Sequence, residues 1–336
     1  MKAVLGRTGL LANKDAFGVL PLQRASMADA VKILNKALDG GINLYDTARG
    51  YTDSEEKIGN ALSSRRDEFF LATKTHAKNT EGFWKDLETS LSALKTDHID
   101  IYQFHNPDSV PKPGDGTGLY EAMLEARSQE KIRFIGITNH RLPLAKEAVE
   151  SGLYDTLQFP FNYLSSDDEI KMAESCHERN IGFIAMKALS GGLLTDVSSS
   201  RAWLNRFPGV VPIWGIQRES ELDALFEAMK DNSAVSSEQQ SRIDADRREL
   251  CGSFCRACGY CMPCPAGIII NICARIILAI HRMPNARFFT PEWKQEMAKI
   301  KNCLHCGNCT SHCPYGLDTP ALLKKNYEEY QKLAAL

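Results

Sequence analysis

Four polar residues of this chain stand at or just behind short apolar runs, and together they hold what reduction of a carbonyl group requires. Asp46 closes Leu44-Tyr45-Asp46, and Tyr51 follows five residues on. Lys74 closes Leu71-Ala72-Thr73-Lys74, and His105 closes Tyr102-Gln103-Phe104-His105. Carbonyl reduction delivers hydride to carbon and a proton to oxygen. A tyrosine, with an ordinary pKa near 10, keeps its proton at neutral pH and can donate it as a general acid. A lysine ammonium beside it favours the phenolate left behind. An aspartate paired with that lysine offsets the cost of burying it. A histidine can hydrogen-bond the carbonyl oxygen and orient it. Each residue alone has a plainer explanation: a turn cap, a strand-end charge, a satisfied core histidine. Four at successive strand ends are harder to explain that way.

A second kind of chemistry is written in the cysteines. Of 11, ten lie between Cys251 and Cys313. A disulfide scaffold is usually a small secreted protein, whereas these crowd one end of a long chain, which favours thiolate metal ligation in a reducing cytoplasm. Two runs stand out, Cys255-x₂-Cys258-x₂-Cys261-x₂-Cys264-Pro265 and Cys303-x₂-Cys306-x₂-Cys309-x₃-Cys313-Pro314. The second has the bacterial ferredoxin spacing; the first is one residue short before its last cysteine. Three thiolates two residues apart can wrap one cubane while the Cys-Pro turn carries the fourth away. The spacing therefore predicts two [4Fe–4S] clusters that exchange ligands, Cys255, Cys258 and Cys261 with Cys313, and Cys303, Cys306 and Cys309 with Cys264. Structural zinc, with paired Cys-x₂-Cys knuckles totalling four ligands, fits eight cysteines less well. Cys176 and Cys273 lie in helical patterns and read as buried thiols, and Cys251 as a spare ligand whose spacing is off. His305 and His312 are expected to hydrogen-bond or shield cluster sulfurs rather than bind iron.

The elements that must position these groups alternate. Candidate strands are Ala16–Leu20, Ile42–Tyr45, Phe69–Thr73, Ile99–Phe104, Ile132–Ile137, Thr156–Phe159, Gly182–Met186 and Val210–Ile213. Between them lie amphipathic stretches such as Ala28–Leu38, Phe83–Leu94 and Ile170–Arg179. Strict βα alternation means a parallel sheet, and eight units predict an α/β fold closed as a (β/α)₈ TIM barrel over residues 1–230. Met1–Leu11 predicts a hairpin over the barrel floor. Residues 231–250 read as a linker ending in an exposed helix, and 251–336 as a helical, ferredoxin-like iron–sulfur domain. Within it, Ala266–Ile280 predicts one buried helix, too short and too polar to cross a bilayer, and Ala321–Leu336 a charged amphipathic helix. Gly114-Asp115-Gly116-Thr117-Gly118 lacks the spacing and the preceding strand of a dinucleotide fingerprint and reads as a flexible loop.

The segments Leu5-Gly-Arg-Thr-Gly-Leu10, Gly41-Ile-Asn-Leu-Tyr-Asp-Thr-Ala48, Ser54-Glu-Glu-Lys-Ile-Gly59, Ala72-Thr-Lys74 and Gln103-Phe-His-Asn-Pro107 resemble the aldo-keto reductase family over about residues 1–230. The resemblance implies a catalytic tetrad at Asp46, Tyr51, Lys74 and His105, with NADPH or NADH extended across the barrel mouth. It places the nicotinamide amide near Thr138, Asn139 and Gln158. Met186 stands where the family often stacks an aromatic ring on the nicotinamide. Gln217, Arg218 and Glu221 stand where the family often carries a 2′-phosphate grip; Arg218 offers a contact for that phosphate, whereas Glu221 offers a carboxylate that would bond a ribose hydroxyl and repel it, so the resemblance leaves NADP and NAD both open. The phrase Cys258-Gly-Tyr-Cys-Met-Pro-Cys-Pro265 resembles the ferredoxin-type extension found on some members.

The net charge of −2 over 336 residues leaves no basic footprint for nucleic acid. The opening segment reaches Gly6 and Arg7 before an apolar stretch forms, so the chain is expected to be cytoplasmic, with no membrane partner. The leading expectation is an enzyme that reversibly moves hydride between NADP or NAD cofactors and a small carbonyl or alcohol. One rival is a ferredoxin-linked oxidoreductase in which the clusters relay single electrons from a ferredoxin-type redox partner. The other is a non-catalytic redox-sensing protein.

Overall fold

The computed structural model describes residues 1–250, 254–282 and 285–335. Cys251 lies outside them. Two compact units are present, one of residues 1–188 and 197–240, the other of residues 189–196 and 241–336.

The first unit opens with an antiparallel hairpin, β1 (Lys2–Val4) and β2 (Leu11–Asn13). Eight parallel strands follow: β3 (Ala16–Gly18), β4 (Leu44–Asp46), β5 (Phe70–Thr75), β6 (Ile99–His105), β7 (Ile132–Thr138), β8 (Thr156–Pro160), β9 (Gly182–Met186) and β10 (Val210–Gly215). They pair in sequence order, and β10 closes on β3. The expected TIM barrel is therefore present, its strand ends within a few residues of those read from the sequence. Its helices are α1 (Met27–Asp39), α2 (Ser54–Leu62), α3 (Thr80–Leu94), α4 (Leu119–Ser128), α5 (Leu142–Ser151), α6 (Asp167–Glu178), α7 (Val197–Leu204) and α8 (Glu219–Met229).

Local chemistry explains the elements. Strand β6 is buried over Ile99–Phe104 without alternation, as expected for a strand covered on both faces. In α1, Ser26 caps the backbone N–H of Asp29, and Ala30, Ile33, Leu34, Ala37 and Leu38 form the buried stripe. In α6 the Ser166–Glu169 capping box sets the start. The hairpin's Leu5, Leu10 and Ala12 join Ala16, Leu44, Ala72, Ile101, Ile184 and Val211 in one buried cluster, which plugs the barrel interior. Gly6 makes that approach possible. Its φ is +53°, and a Cβ there would lie 2.2 Å from the Gly182 nitrogen. The Gly114–Gly118 loop, expected to be flexible, is organised by Asp115, which accepts from Thr117 N and Oγ1 and from Lys112 N.

The second unit contains α9 (Ser237–Leu250), α10 (Ile270–Cys273), α11 (Ile276–Arg282), α12 (Pro291–Ala298), α13 (Asn308–Ser311) and α14 (Thr319–Leu333), α9 starting just inside the first unit. Its core is Ile268, Ile270, Ile276, Ile277, Ile280, Phe288, Met297, Ile300, Leu323 and Tyr330. The single helix expected over Ala266–Ile280 is instead two short ones. Asn326 causes the break: its Oδ1 accepts from Ile277 N at 3.3 Å and its Nδ2 donates to the Ala274 carbonyl at 3.2 Å. Those are the backbone groups a continuous helix would pair within itself. Among the described residues no helix is long and apolar enough to cross a membrane.

Candidate active site and cysteine-lined cavities

The strand ends bring the four expected residues together. Lys74, on β5, is 1% exposed and donates to Asp46 Oδ2 at 2.7 Å and to the Thr47 carbonyl at 2.6 Å. Its ammonium nitrogen lies 5.2 Å from the centre of the Tyr51 ring. The His105 ring meets the Tyr51 ring edge-on, centroids 5.5 Å apart. Burial pushes the Lys74 ammonium below its ordinary pKa, and the Asp46 carboxylate opposes that shift. Burial also drives His105 well below its ordinary value, reinforced by the charges of Lys74, His76 and His140. His105 therefore presents a neutral ring, with one N–H donor and one acceptor nitrogen.

The loop carrying Tyr51 is clamped from both sides. Thr47 N and Arg49 N donate to the Ala72 and Lys74 carbonyls at 2.8 and 3.0 Å, which extends the β4–β5 pairing past the strand end. Tyr51 N donates to the Ala48 carbonyl, and the Tyr51 carbonyl accepts from Ser54 N. Beneath the loop, buried Glu55 pairs with Arg49 and accepts from Thr73 Oγ1 at 2.6 Å.

Three neighbours were not singled out from the sequence. Gln103 and Gln158 donate to the two oxygens of Asp46 at 3.2 and 3.3 Å, although only Gln158 had been assigned a role. The His76 ring lies against His105, centroids 3.9 Å apart, and His140 is buried nearby. The missed signal is strand alternation: Gln103 lies two residues before His105 and His76 two after Lys74.

The expected nicotinamide contacts fall on adjacent strand ends. Thr138 pairs with both His105 and Gln158 in the strand register. Gln158 Oε1 is buried without a hydrogen-bond partner and suits the N–H groups of an amide. Asn139 is already engaged, donating to the Pro107 carbonyl and accepting from Arg141 N. Met186 ends β9, half-buried. The Arg218 guanidinium is held by Glu221 at 2.6 Å, and Glu221 also accepts from Gln217 N and Arg218 N. The start of α8 thus carries a carboxylate of its own.

The eight cysteines line two cavities. One is bordered by Cys255, Cys258, Cys261 and Cys313; the other by Cys264, Cys303, Cys306 and Cys309, with Cys261 also on its wall. The structure thus carries Cys313 to the first run and Cys264 to the second. Among the described residues no three potential ligands converge on a single ion; the thiols surround a volume instead. Burial pushes the Cys261 thiol up to about 12, and the neighbouring thiols add to the shift, so a positive group between them would be needed to hold it as thiolate. Cys176 and Cys273 are buried, and neither lines either cavity. His305 borders the second cavity, whereas His312 turns to the Asn308 carbonyl at 2.8 Å.

At the carboxyl end of this closed parallel barrel a buried Asp46–Lys74 pair stands beside a half-buried Tyr51, and sequence comparison gives the class. Residues 14–207 match the model of the aldo/keto reductase family, and residues 254–318 match the 4Fe-4S dicluster domain. The chain belongs to the aldo/keto reductase family and carries a 4Fe-4S dicluster domain in its C-terminal part. It is 33% identical over 180 residues to the aldo-keto reductase YhdN of Bacillus subtilis, covering 49% of this chain and 54% of that one. It is 30% identical over 209 residues to the uncharacterized oxidoreductase YqkF of the same organism, covering 58% and 67%. The chain thus spans little more than half the length of the first of these relatives. In fold it is similar to the aldo-keto reductase AKR11C1 from Bacillus halodurans (holo form), with a TM-score of 0.64 at 22% identity, over 73% of this chain and 95% of that one.

Proposed function

We propose that the barrel reduces a carbonyl group, or oxidises the corresponding alcohol, with a nicotinamide cofactor, and that Tyr51 is its general acid and base. The observation that carries this reading is the buried Lys74–Asp46 pair directly behind the Tyr51 ring. A bound nicotinamide supplies hydride to the carbonyl carbon. Tyr51 gives its proton to the carbonyl oxygen, and Lys74 stabilises the negative charge left on the phenol oxygen. Asp46, fixed by Gln103 and Gln158, keeps Lys74 charged and in place. His105, neutral, donates one hydrogen bond to the substrate oxygen and holds it towards Tyr51. Gln158 and Thr138 would hold the nicotinamide amide. Tyr51→Phe should lower kcat about 10²–10⁴-fold with little change in cofactor affinity. Near wild-type turnover of a verified substrate in that variant would remove Tyr51 from the mechanism.

In the same reading each cavity would hold a [4Fe–4S] cluster, with Cys255, Cys258, Cys261 and Cys313 as the ligands in one and Cys264, Cys303, Cys306 and Cys309 in the other. The fit rests on four thiols around each volume. Bound there, such clusters would supply shape and folding free energy to the second unit. A nicotinamide moves two electrons together and a cluster one, and the barrel residues already provide what hydride chemistry needs. Single turnover separates the two roles. Protein with dithionite-reduced clusters, freed of nicotinamide and excess reductant, should keep its reduced-cluster EPR signal when an aldehyde is added anaerobically. Decay of the signal as alcohol appears would assign the clusters an electron-relay role instead.

A further inference from the structure

The second unit contains a buried charge that its own carboxylates do not balance. Arg275 occupies the joint between α10 and α11 and is 5% exposed. Its Nη2 donates to the Gly191 carbonyl at 3.3 Å, a neutral acceptor. Among the described residues no carboxylate lies within ion-pair distance of it. Other arginines show the contrast. Arg201, 1% exposed, meets Asp15 at 2.9 Å and donates to Ala228 O, Asp231 O and Asn232 Oδ1 as well. Arg282, at the end of α11, meets Asp246 and Glu249. A guanidinium buried without an anion is strongly unfavourable, and guanidinium does not escape by releasing its proton.

The anion it lacks has a place beside it. Ala274, its neighbour in the chain, lines the cavity of Cys255, Cys258, Cys261 and Cys313. Cys255, on the wall of that cavity, has its Sγ 3.9 Å from the Asn271 carbonyl, four residues before Arg275, and is close enough for its charge to oppose the effect of burial on the guanidinium. Arg256 borders the same cavity, its guanidinium 4.3 Å from the centre of the Tyr315 ring. The second cavity is lined by apolar residues, its cysteines, Asn308 and His305, with neither arginine nor lysine. The asymmetry matters because a four-thiolate iron–sulfur cluster is an anion that gains a further negative charge on reduction, and nearby positive charge favours the reduced state.

We propose that Arg275 is the built-in counter-ion of the cluster held by Cys255, Cys258, Cys261 and Cys313, and that it makes this cluster the more easily reduced of the two. The inference rests on the two-cluster reading above. The step concerned is the addition of one electron from dithionite to the cluster, with no bond made or broken at Arg275 and no proton moved.

The experiment is a potentiometric titration of anaerobic, full-length holoprotein followed by EPR, with iron counted in each sample. Cys306→Ser, which alters a ligand of the second cavity, assigns the signals to the clusters. Two separable reduction steps are expected, the first belonging to the Arg275 cluster. Arg275→Met should lower that potential and leave the other in place, and Arg275→Lys should restore most of the loss. With about eight irons per chain present, potentials unmoved in Arg275→Met, or both moved equally, overturn the counter-ion assignment alone. Wild-type protein with about four irons or fewer overturns the two-cluster reading and the proposal with it. If Arg275→Met loses the iron of its cluster while Arg275→Lys keeps it, the requirement for positive charge stands. Loss in both variants overturns it, because shape rather than charge then decides.

Discussion

His105 is held neutral by its surroundings, and that has a measurable cost in acid. Burial first, then the charges of Lys74, His76 and His140, lower its pKa well below the ordinary 6.5. Below that value an unfolded chain takes up a proton here that the folded chain refuses. The contribution to stability is therefore present above about pH 6.5 and is lost as pH falls. His105→Gln should flatten this slope, and urea unfolding at pH 7.5 and 5.5 measures it; a wild-type slope that survives the substitution sinks the assignment. Lys74 behaves differently because Asp46 partly offsets its burial. Asp46→Asn leaves the burial unopposed. It should cost about 3–5 kcal/mol of stability and move the alkaline limb of kcat to lower pH, and a limb that stays put would show that Asp46 does not support the lysine charge. At the start of α8, Glu221 neutralises Arg218 and occupies backbone N–H groups that an anion would otherwise use. NADH should accordingly bind more tightly than NADPH. Glu221→Gln should narrow the gap about tenfold, about 1.4 kcal/mol, in a fluorescence titration of both cofactors, and an unchanged ratio would clear Glu221 of that role.

At the scale of elements, what could be read from the sequence and what could not divide along a physical line. The barrel strands were legible because each is a short apolar run between helical patterns, and strand order follows chain order. The strand ends then located Asp46, Lys74 and His105 without further help. Gln103 and His76 were not found, because their roles depend on what lies across the barrel or against a ring, not on their own runs. The break between α10 and α11 was invisible for the same reason. Its cause, Asn326, lies 52 residues from Ala274 in the chain. The hairpin plug offers a test at this scale. Gly6 and Gly9 both have positive φ, but a Cβ on Gly6 would strike the Gly182 backbone, whereas one on Gly9 meets nothing within 4 Å. Gly9→Ala should cost about 1 kcal/mol from backbone conformation alone, and Gly6→Ala about 3 kcal/mol or more through the added clash. Equal shifts in the denaturation midpoint would mean that the hairpin yields instead of plugging.

For the whole molecule, the two units differ in what holds them. The barrel buries aromatic and aliphatic side chains throughout, from Phe17 to Trp214, while the second unit gathers a smaller core around its cysteines. Removing iron with a chelator under reducing conditions should therefore abolish the second unit's calorimetric transition and leave a barrel transition within a few degrees of its original position. Loss of both together would show that the clusters stabilise the entire chain.

The grouping of Leu189–Asp196 with the second unit means that the polypeptide passes between the units after Ala188, after Asp196 and after Gln240. A chain cut after Gln240 is thus not a barrel relieved of an appendage. It keeps a stretch whose Gly191 and Leu193 carbonyls have lost their donors, Arg275 and Arg282. A chimera with a relative must exchange both stretches at once. An exchange at the single C-terminal junction would splice one protein's loop onto another protein's partner for it.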